Sequence, residues 1–539
     1  MVREAKLSQP LHESTNLGPG IEANEVEEFV PDVTEQPIGS HLDQNDVIPE
    51  LIDATVTKNI QTKKRALVNV STNVLNIKID PHGGDVVSVS LPAFPTTLET
   101  PDIPFTLIDP KNGYVSQSGL IGPNGTDKTG FRPTFIAESL TYEMGTASDL
   151  KDVFSYQQTE DVLIRKIFNF RRSDYLFDIH YEISNRSEGP WRGALFGQIK
   201  RDSQTPIDTV DNSMGLQPFV GGATRSADEF YRKLEFDDVE EQSYNAEIEG
   251  GYMAMVQHYF VSAWVPDGQA SNSYYARKLG SNDAYLFGFK SQAISVPSGS
   301  NGELSAQFYV GPKDQYRLKE IAEGLDLTVD YGFLWWLAQP LFYLLTLIHT
   351  YLPNWGVAII CLTIIVKSLL FPLSASSFRS MAKMRKLQPE MAKLKERYGD
   401  DRQQFSQAMM DLYKKEGANP LGGCFPILLQ MPVFLALYWT LMESVELRQA
   451  PFVLWIHDLS AMDPYFVLPI LMGISMYVTQ MLQPEPPDPV QAKVFKFMPI
   501  MFTFFFLWFP SGLVLYWLVN NLLSISQQLY VTRQIEKNG

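Results

Sequence analysis

No cysteine occurs before residue 361; the chain has two, Cys361 and Cys424, and both lie in or beside apolar runs. The long polar part therefore has no disulfide framework and must bury a core of ordinary size. Residues 1–60 lack any helical or strand period. They carry twelve acidic and three basic side chains and are rich in Pro, Gly, Asn and Glu, a composition that predicts a disordered acidic linker. No basic segment followed by an apolar run opens the chain, so no export signal is legible there. Neither Gly-x-x-x-x-Gly-Lys-Ser/Thr nor His-Glu-x-x-His occurs, and no ATPase or metal site is expected. Ser380 and Lys383 form a Ser-x-x-Lys pattern, but in a basic helix that spacing arises easily by chance. The sequence reads as a non-enzyme without a cofactor.

The net charge of −17 is unevenly spread: −9 over residues 1–60, −11 over 61–331 and +3 over 332–539. From about residue 66 the pattern turns to period two. Val68 and Val70 alternate with Leu67, Asn69 and Ser71, and Leu75, Ile77 and Ile79 share one face. Gly83-Gly84, Asn124-Gly125 and Ser298–Gly302 punctuate such runs as turns. Residues 61–330 thus read as an antiparallel β-sandwich, closed by one helix from Asp314 to Leu325. A carbohydrate-binding or sugar-isomerase-like sandwich would need a paired Glu/His cleft, and no such spacing is found.

Residues 331–366, 417–442, 464–484 and 497–532 contain no Asp, Glu, Lys or Arg. A membrane crossing needs about 20 apolar residues, so the longest stretches must be divided, at Pro353-Asn354 and at Pro510-Ser511-Gly512. The 373–420 loop holds ten Lys/Arg and the 443–463 loop only Arg448. With Lys493, Lys496, Arg533 and Lys537 these place 373–420, the 493–496 loop and the tail 533–539 in the cytoplasm. Parity then turns on 331–352. If it lies on the outer surface, as its aromatics suit, the β-domain is outside; if it spans, the β-domain is cytoplasmic. Hydropathy leans towards a span. A secondary transporter would show an inverted repeat of interrupted helices, and none is found.

Lys367 is the one charged residue well inside an apolar run, and an ammonium in hydrocarbon is costly unless water or a partner meets it. Snorkelling is the bland alternative, since Pro372 is five residues away. Thr363 lies one turn back on the same face. Tyr516, Asn520, Ser524 and Gln527 form a polar stripe in the last span, either interhelical glue or, with Lys367, the wall of a wet cavity. The 374–416 loop reads as two helices broken at Gly399, the second capped by Asp400 and ended by Gly417. Met381, Met384, Met391, Met409 and Met410 lie among basic residues such as Arg385, as soft hairpin packing or an adaptable surface.

Asn419–Pro426, Gln430–Pro432, Ser444–Pro451, Leu454–Leu459 and Leu507–Leu513 resemble the YidC/Oxa/Alb family of bacterial membrane protein insertases across 331–532. Residues 83–85 and 327–332 are similar to the periplasmic domain of its Gram-negative type. The resemblance implies a periplasmic antiparallel β-super-sandwich, a surface amphipathic helix at 331–352 and a transmembrane α-helical core of five spans at 353–532. It implies a cytoplasmic helical hairpin at 374–416, in an inner-membrane protein. It further implies a groove open to cytoplasm and lipid, with Lys367 where relatives usually carry Arg and with Thr363, Gln430, Tyr516, Asn520 and Ser524 around it. The implied partners are nascent membrane proteins, the Sec translocon, the ribosome and signal recognition particle receptor, and the lipid bilayer, with no DNA. Gram-negative relatives begin with a hydrophobic signal-anchor helix, which is expected upstream of Met1.

Overall fold

The computed structural model of the chain describes residues 66–128, 131–204, 218–280, 282–398, 401–416, 425–483 and 489–538. The acidic tract 1–60 lies outside them, as do Gly399, Asp400, Gly417 and Cys424.

Residues 66–312 build two large sheets, one of eleven strands and one of nine. Pairing is antiparallel save where Asn69–Ser71 meets Thr141–Glu143. Val68 and Val70 turn inward while Asn69 and Ser71 stay exposed, and Leu75, Ile77 and Ile79 enter the same core. Central strands such as Phe260–Pro266 and Tyr285–Lys290 are buried on both faces. These continuous buried runs carry no alternation, so period two marks the outer strands better than the middle ones.

A buried polar staple joins the sheets. Lys166, on a strand of the smaller sheet, donates to Gly84 O at 2.8 Å, Gly83 O at 3.0 Å and Ser118 O at 3.2 Å, reaching across to the larger one. Arg132 pairs with Asp85 and, at 2.9 Å, with Asp127. Gly84 has a φ of +64°, and a Cβ there would stand 2.8 Å from the Lys166 chain. The turn needs glycine both for its backbone and for that lysine's approach.

Two short helices belong to this domain, α1 (Phe236–Glu241) and α2 (Gln315–Ile321). Asp314 caps α2 by accepting from Tyr316 N and Arg317 N. The closing helix ends at Ile321 and does not run to Leu325. Gly324, at φ +85°, turns the chain where a Cβ would collide with Phe230 O, and a 3-10 turn follows at Leu325–Thr328.

The rest is helical: α3 (Trp335–Tyr351), α4 (Trp355–Leu369), α5 (Phe371–Tyr398), α6 (Arg402–Glu416), α7 (Phe425–Glu443), α8 (Val467–Met481), α9 (Pro489–Phe505) and α10 (Ser511–Asn538). Helix α3 buries Ala338, Leu341, Phe342 and Leu345, the i, i+3, i+4, i+7 face. It leaves Trp335, Trp336, Tyr343 and Tyr351 exposed. Among the described residues, Gly332–Tyr351 is the one straight helix long and apolar enough to cross a membrane; α4 and α5, bent by 67°, make a broken one. The bend falls at Leu370, between the two helices; Pro372, in the first turn of α5, has no N–H to donate to Ser368 O and so cannot continue the ladder of α4. Asn354 caps α4 by accepting from Val357 N at 3.0 Å and donates to Phe452 O at 3.0 Å. Ser511 and Gly512 donate their amides to Ala461 O and Leu459 O, which pins the α9–α10 turn to the 452–466 loop.

Asp401 caps α6. Its Oδ1 accepts from Gln403 N at 2.9 Å and Gln404 N at 3.0 Å, the reach an Ncap carboxylate has when the helix starts at 402.

Arg132→Ala would leave Asp85 and Asp127 buried without their countercharge. It is expected to cost the β-domain about 3–5 kcal/mol, read as the urea midpoint for proteolysis of that domain in liposome-bound full-length chain. A midpoint equal to the parent's would show that the two carboxylates need no countercharge.

Candidate substrate groove

Helices α4, α5, α7, α8, α9 and α10 surround a cavity of about 550 Å³. Its two ends differ in chemistry because the helices that line it change composition along their length. Towards the 443–463 loop the walls are aromatic: Phe434, Tyr438, Phe506, Phe509, Tyr516 and Trp517. Phe434 meets Trp517 edge-on at 4.4 Å, Phe506 lies 4.9 Å from Phe509, and Tyr438 lies 6.0 Å from Phe509. Towards the α4–α5 bend the walls are polar: Lys367, Ser374, Gln430, Thr479, Gln480, Asn520, Asn521, Ser524 and Gln528.

Lys367 sits in the last turn of α4 and is 4% exposed. Its Nζ donates to Ser524 Oγ at 2.6 Å, and that hydroxyl donates to Asn520 O at 2.8 Å. Gln430 Nε2 donates to Asn520 Oδ1 at 3.2 Å, tying α7 to α10. Among the described residues no carboxylate lines the cavity. The lysine thus meets a neutral hydroxyl and no countercharge among the lining residues, an arrangement suited to holding a ligand's negative charge.

Five of the six residues singled out in the sequence line this cavity: Lys367, Gln430, Asn520 and Ser524 at its polar end and Tyr516 at its aromatic end. Thr363 does not. Its hydroxyl is spent on Ile359 O at 2.6 Å within α4, the back-bond that buried threonines in helices commonly make. Gln527 lies off the wall; its amide reaches Lys367 O at 3.4 Å and its Oε1 is buried without a partner. The stripe reading also missed Asn521 and Gln528. Asn521 donates to Ser475 Oγ at 2.9 Å and Gln528 to Leu482 O at 3.0 Å. The pairs Asn520-Asn521 and Gln527-Gln528 were the signal: adjacent polar residues widen a face by about 100°.

In the hairpin, Ser374, Phe378 and Met381 close the polar end of the cavity. Met381 and Met384 are buried with Phe378, Tyr413 and Val531, and Met391 and Met409 pack beside them. Arg385 is exposed. Met410 is 50% exposed and drops out of the seam, since one step along α6 carries it round from Met409's inward face.

The model of the YidC periplasmic domain matches residues 67–344, and that of the 60Kd inner membrane protein matches residues 347–538. The chain is 54% identical over 500 residues to the membrane protein insertase YidC of Cellvibrio japonicus, covering 92% of the chain and 90% of that relative. Its identity to the insertase YidC of Stutzerimonas stutzeri is 51% over 472 residues, covering 87% and 84%. A crystal structure of an active YidC insertase with its first transmembrane domain resolved aligns with 86% of the chain and 92% of its own length, at 19% identity and a TM-score of 0.39. The two family models account for the β-rich part and the helical part in turn, and the relatives span both; the chain belongs to the YidC family of membrane protein insertases.

Proposed function

We propose that this chain inserts nascent membrane proteins by drawing a substrate's short hydrophilic tail into the polar, positively charged end of the groove and releasing its apolar helix into lipid past α7 and α9. The observation that carries this reading is Lys367. Its ammonium lines a cavity whose polar half lies at the α4–α5 bend and whose other end is filled by aromatic rings. Moving a polar segment into hydrocarbon costs several kcal/mol per group; a wall of amides, hydroxyls and one cation lowers that cost over half the path. Gln527, whose amide reaches Lys367 O, keeps a buried Oε1 with no protein partner, and such an atom calls for water. Burial of the substrate's own helix in lipid supplies the driving force, so the reading needs no nucleotide.

In the same reading, the β-domain lies in the periplasm, α3 rests at the outer interface on its exposed aromatics, and α4, α7, α8, α9 and α10 are the five spans. The α5–α6 hairpin and the C-terminus are cytoplasmic, where basic helices can meet delivery partners: the Sec translocon, the ribosome or the signal recognition particle receptor. A cysteine placed at Glu160, an exposed turn, in a background lacking Cys361 and Cys424, is expected to react with an impermeant thiol reagent in intact spheroplasts. One placed at Arg385 should react only after lysis. Labelling of position 385 in intact cells would reverse the topology.

Attraction between Lys367 and a passing carboxylate, screened by water, is worth about 1–3 kcal/mol. Lys367→Arg should preserve insertion of single-span substrates with acidic tails. Lys367→Ala should impair it and Lys367→Glu impair it more, while substrates with neutral tails change little. Equal insertion of an acidic-tailed substrate by Lys367→Glu would leave hydration and shape as the groove's sole action.

A further inference from the structure

We infer that the β-domain clamps the outer end of α7 and thereby keeps the aromatic end of the groove shut, with Lys313 and Glu443 as the positioning pair; the inference rests on the groove reading above. Glu443 is the last residue of α7, and its carboxylate receives Lys313 Nζ at 2.5 Å, with both side chains buried. Lys313 directly follows the longest strand of the β-domain, Ser300–Pro312, and also donates to Thr328 O at 3.2 Å. His258 Nε2 lies 2.8 Å from Met442 O, one of the carbonyls that a helix end cannot satisfy itself. A carbonyl can only accept, so Nε2 carries the proton and donates; burial, with Lys313 nearby, favours the neutral ring.

The grip continues beyond the helix. Val445 packs into the main core of the β-domain. Arg448 donates to Pro95 O at 2.9 Å and to Thr96 O at 3.3 Å, with its guanidinium over the rings of Phe105 and Phe260. Gln449 Nε2 reaches Pro95 O at 3.2 Å. Residues 442–449 are thus held by side chains or carbonyls from several separate strands of the β-domain.

Helix α7 carries this fixation inward. Tyr438 and Phe434, which contribute to the aromatic end, lie within about three turns of Glu443, and Gln430 lies roughly 20 Å from it along the axis. Pro432 interrupts the helix between Phe434 and Gln430; a proline there removes one ladder hydrogen bond and lets the two segments bend relative to each other. The outer segment is bolted to the β-domain and the inner one is free to yield. The groove can therefore admit a substrate at its polar end without opening at the other.

The test places a reporter cysteine at Leu435, a cavity-lining residue, in full-length chain lacking Cys361 and Cys424. Labelling by an impermeant thiol reagent is followed from the β-domain side in sealed, right-side-out vesicles without substrate. Glu443→Lys is expected to raise the rate at least tenfold, and adding Lys313→Glu to return it towards the parent, while protease resistance of the β-domain stays unchanged. If Glu443→Lys does not accumulate, Glu443→Gln should still give a rise of at least threefold. An unchanged rate in these variants overturns the clamp, as does a rise that occurs only with loss of protease resistance. Because no substrate is present, the result is independent of the charge tests at Lys367: faster labelling with a harmless Lys367→Glu would keep the clamp and discard the electrostatic groove.

Discussion

A polar group taken out of water must find a partner, and this requirement shapes both halves of the chain. In the β-domain it forces Lys166 onto three carbonyls and Arg132 between two carboxylates, and the glycines at 83 and 84 exist to let those side chains close in. At the junction it sets Lys313 against Glu443 and turns His258 towards the last carbonyls of α7. In the helical core it gathers Lys367, Ser524, Asn520 and Gln430 onto one wall. In the first two sets each buried cation meets a carboxylate or several carbonyls, though Asp85 Oδ1 and His258 Nδ1 keep no partner. The third joins a cation to neutral partners, and that difference is what the proposed function rests on.

How much of this was legible in the sequence depended on the length scale of the signal. Period-two runs revealed the outer strands, and charge-free stretches revealed the helices. Strands buried on both faces, such as Phe260–Pro266, have no period to read. The groove residues on one helix were found because a stripe at i, i+4, i+8 is local. Asn521 and Gln528 escaped because their partners, Ser475 and Leu482, lie more than forty residues away. Thr363 falls outside the cavity lining for the opposite reason: helical spacing put it one turn from Lys367, but its hydroxyl donates to its own backbone. Nothing in the sequence pointed to the Lys313–Glu443 pair, which joins residues 130 positions apart.

Hydropathy alone does not sort these helices. Gly332–Tyr351 passes the test for a crossing, whereas α8 has only fifteen residues; α3 and α9 have seventeen each, with Pro340 and Pro499 inside them. What distinguishes α3 is where its exposed residues fall. Two tryptophans lie exposed at its start and Tyr351 at its end, as at the two edges of a span, but Tyr343 stands exposed between them, and it is this mid-helix tyrosine that suits the proposed interfacial placement.

The hairpin fits the same logic of graded rigidity. Its base closes the polar end of the cavity through Phe378 and Met381, held against Val531 of α10 and Tyr413 of α6. These contacts are made by methionines and a few apolar side chains, with a sulfur accepting the Tyr413 hydroxyl at 3.4 Å. Methionine packs adequately in several geometries, so such a joint loses little when it shifts. The opposite end of the groove is shut by rings behind a buried ion pair, which has one good geometry and is costly to break. On the proposed reading, an adaptable joint at the basic end and a rigid one at the β-domain would give the groove a direction: substrate would displace methionines on the way in and leave the clamp in place.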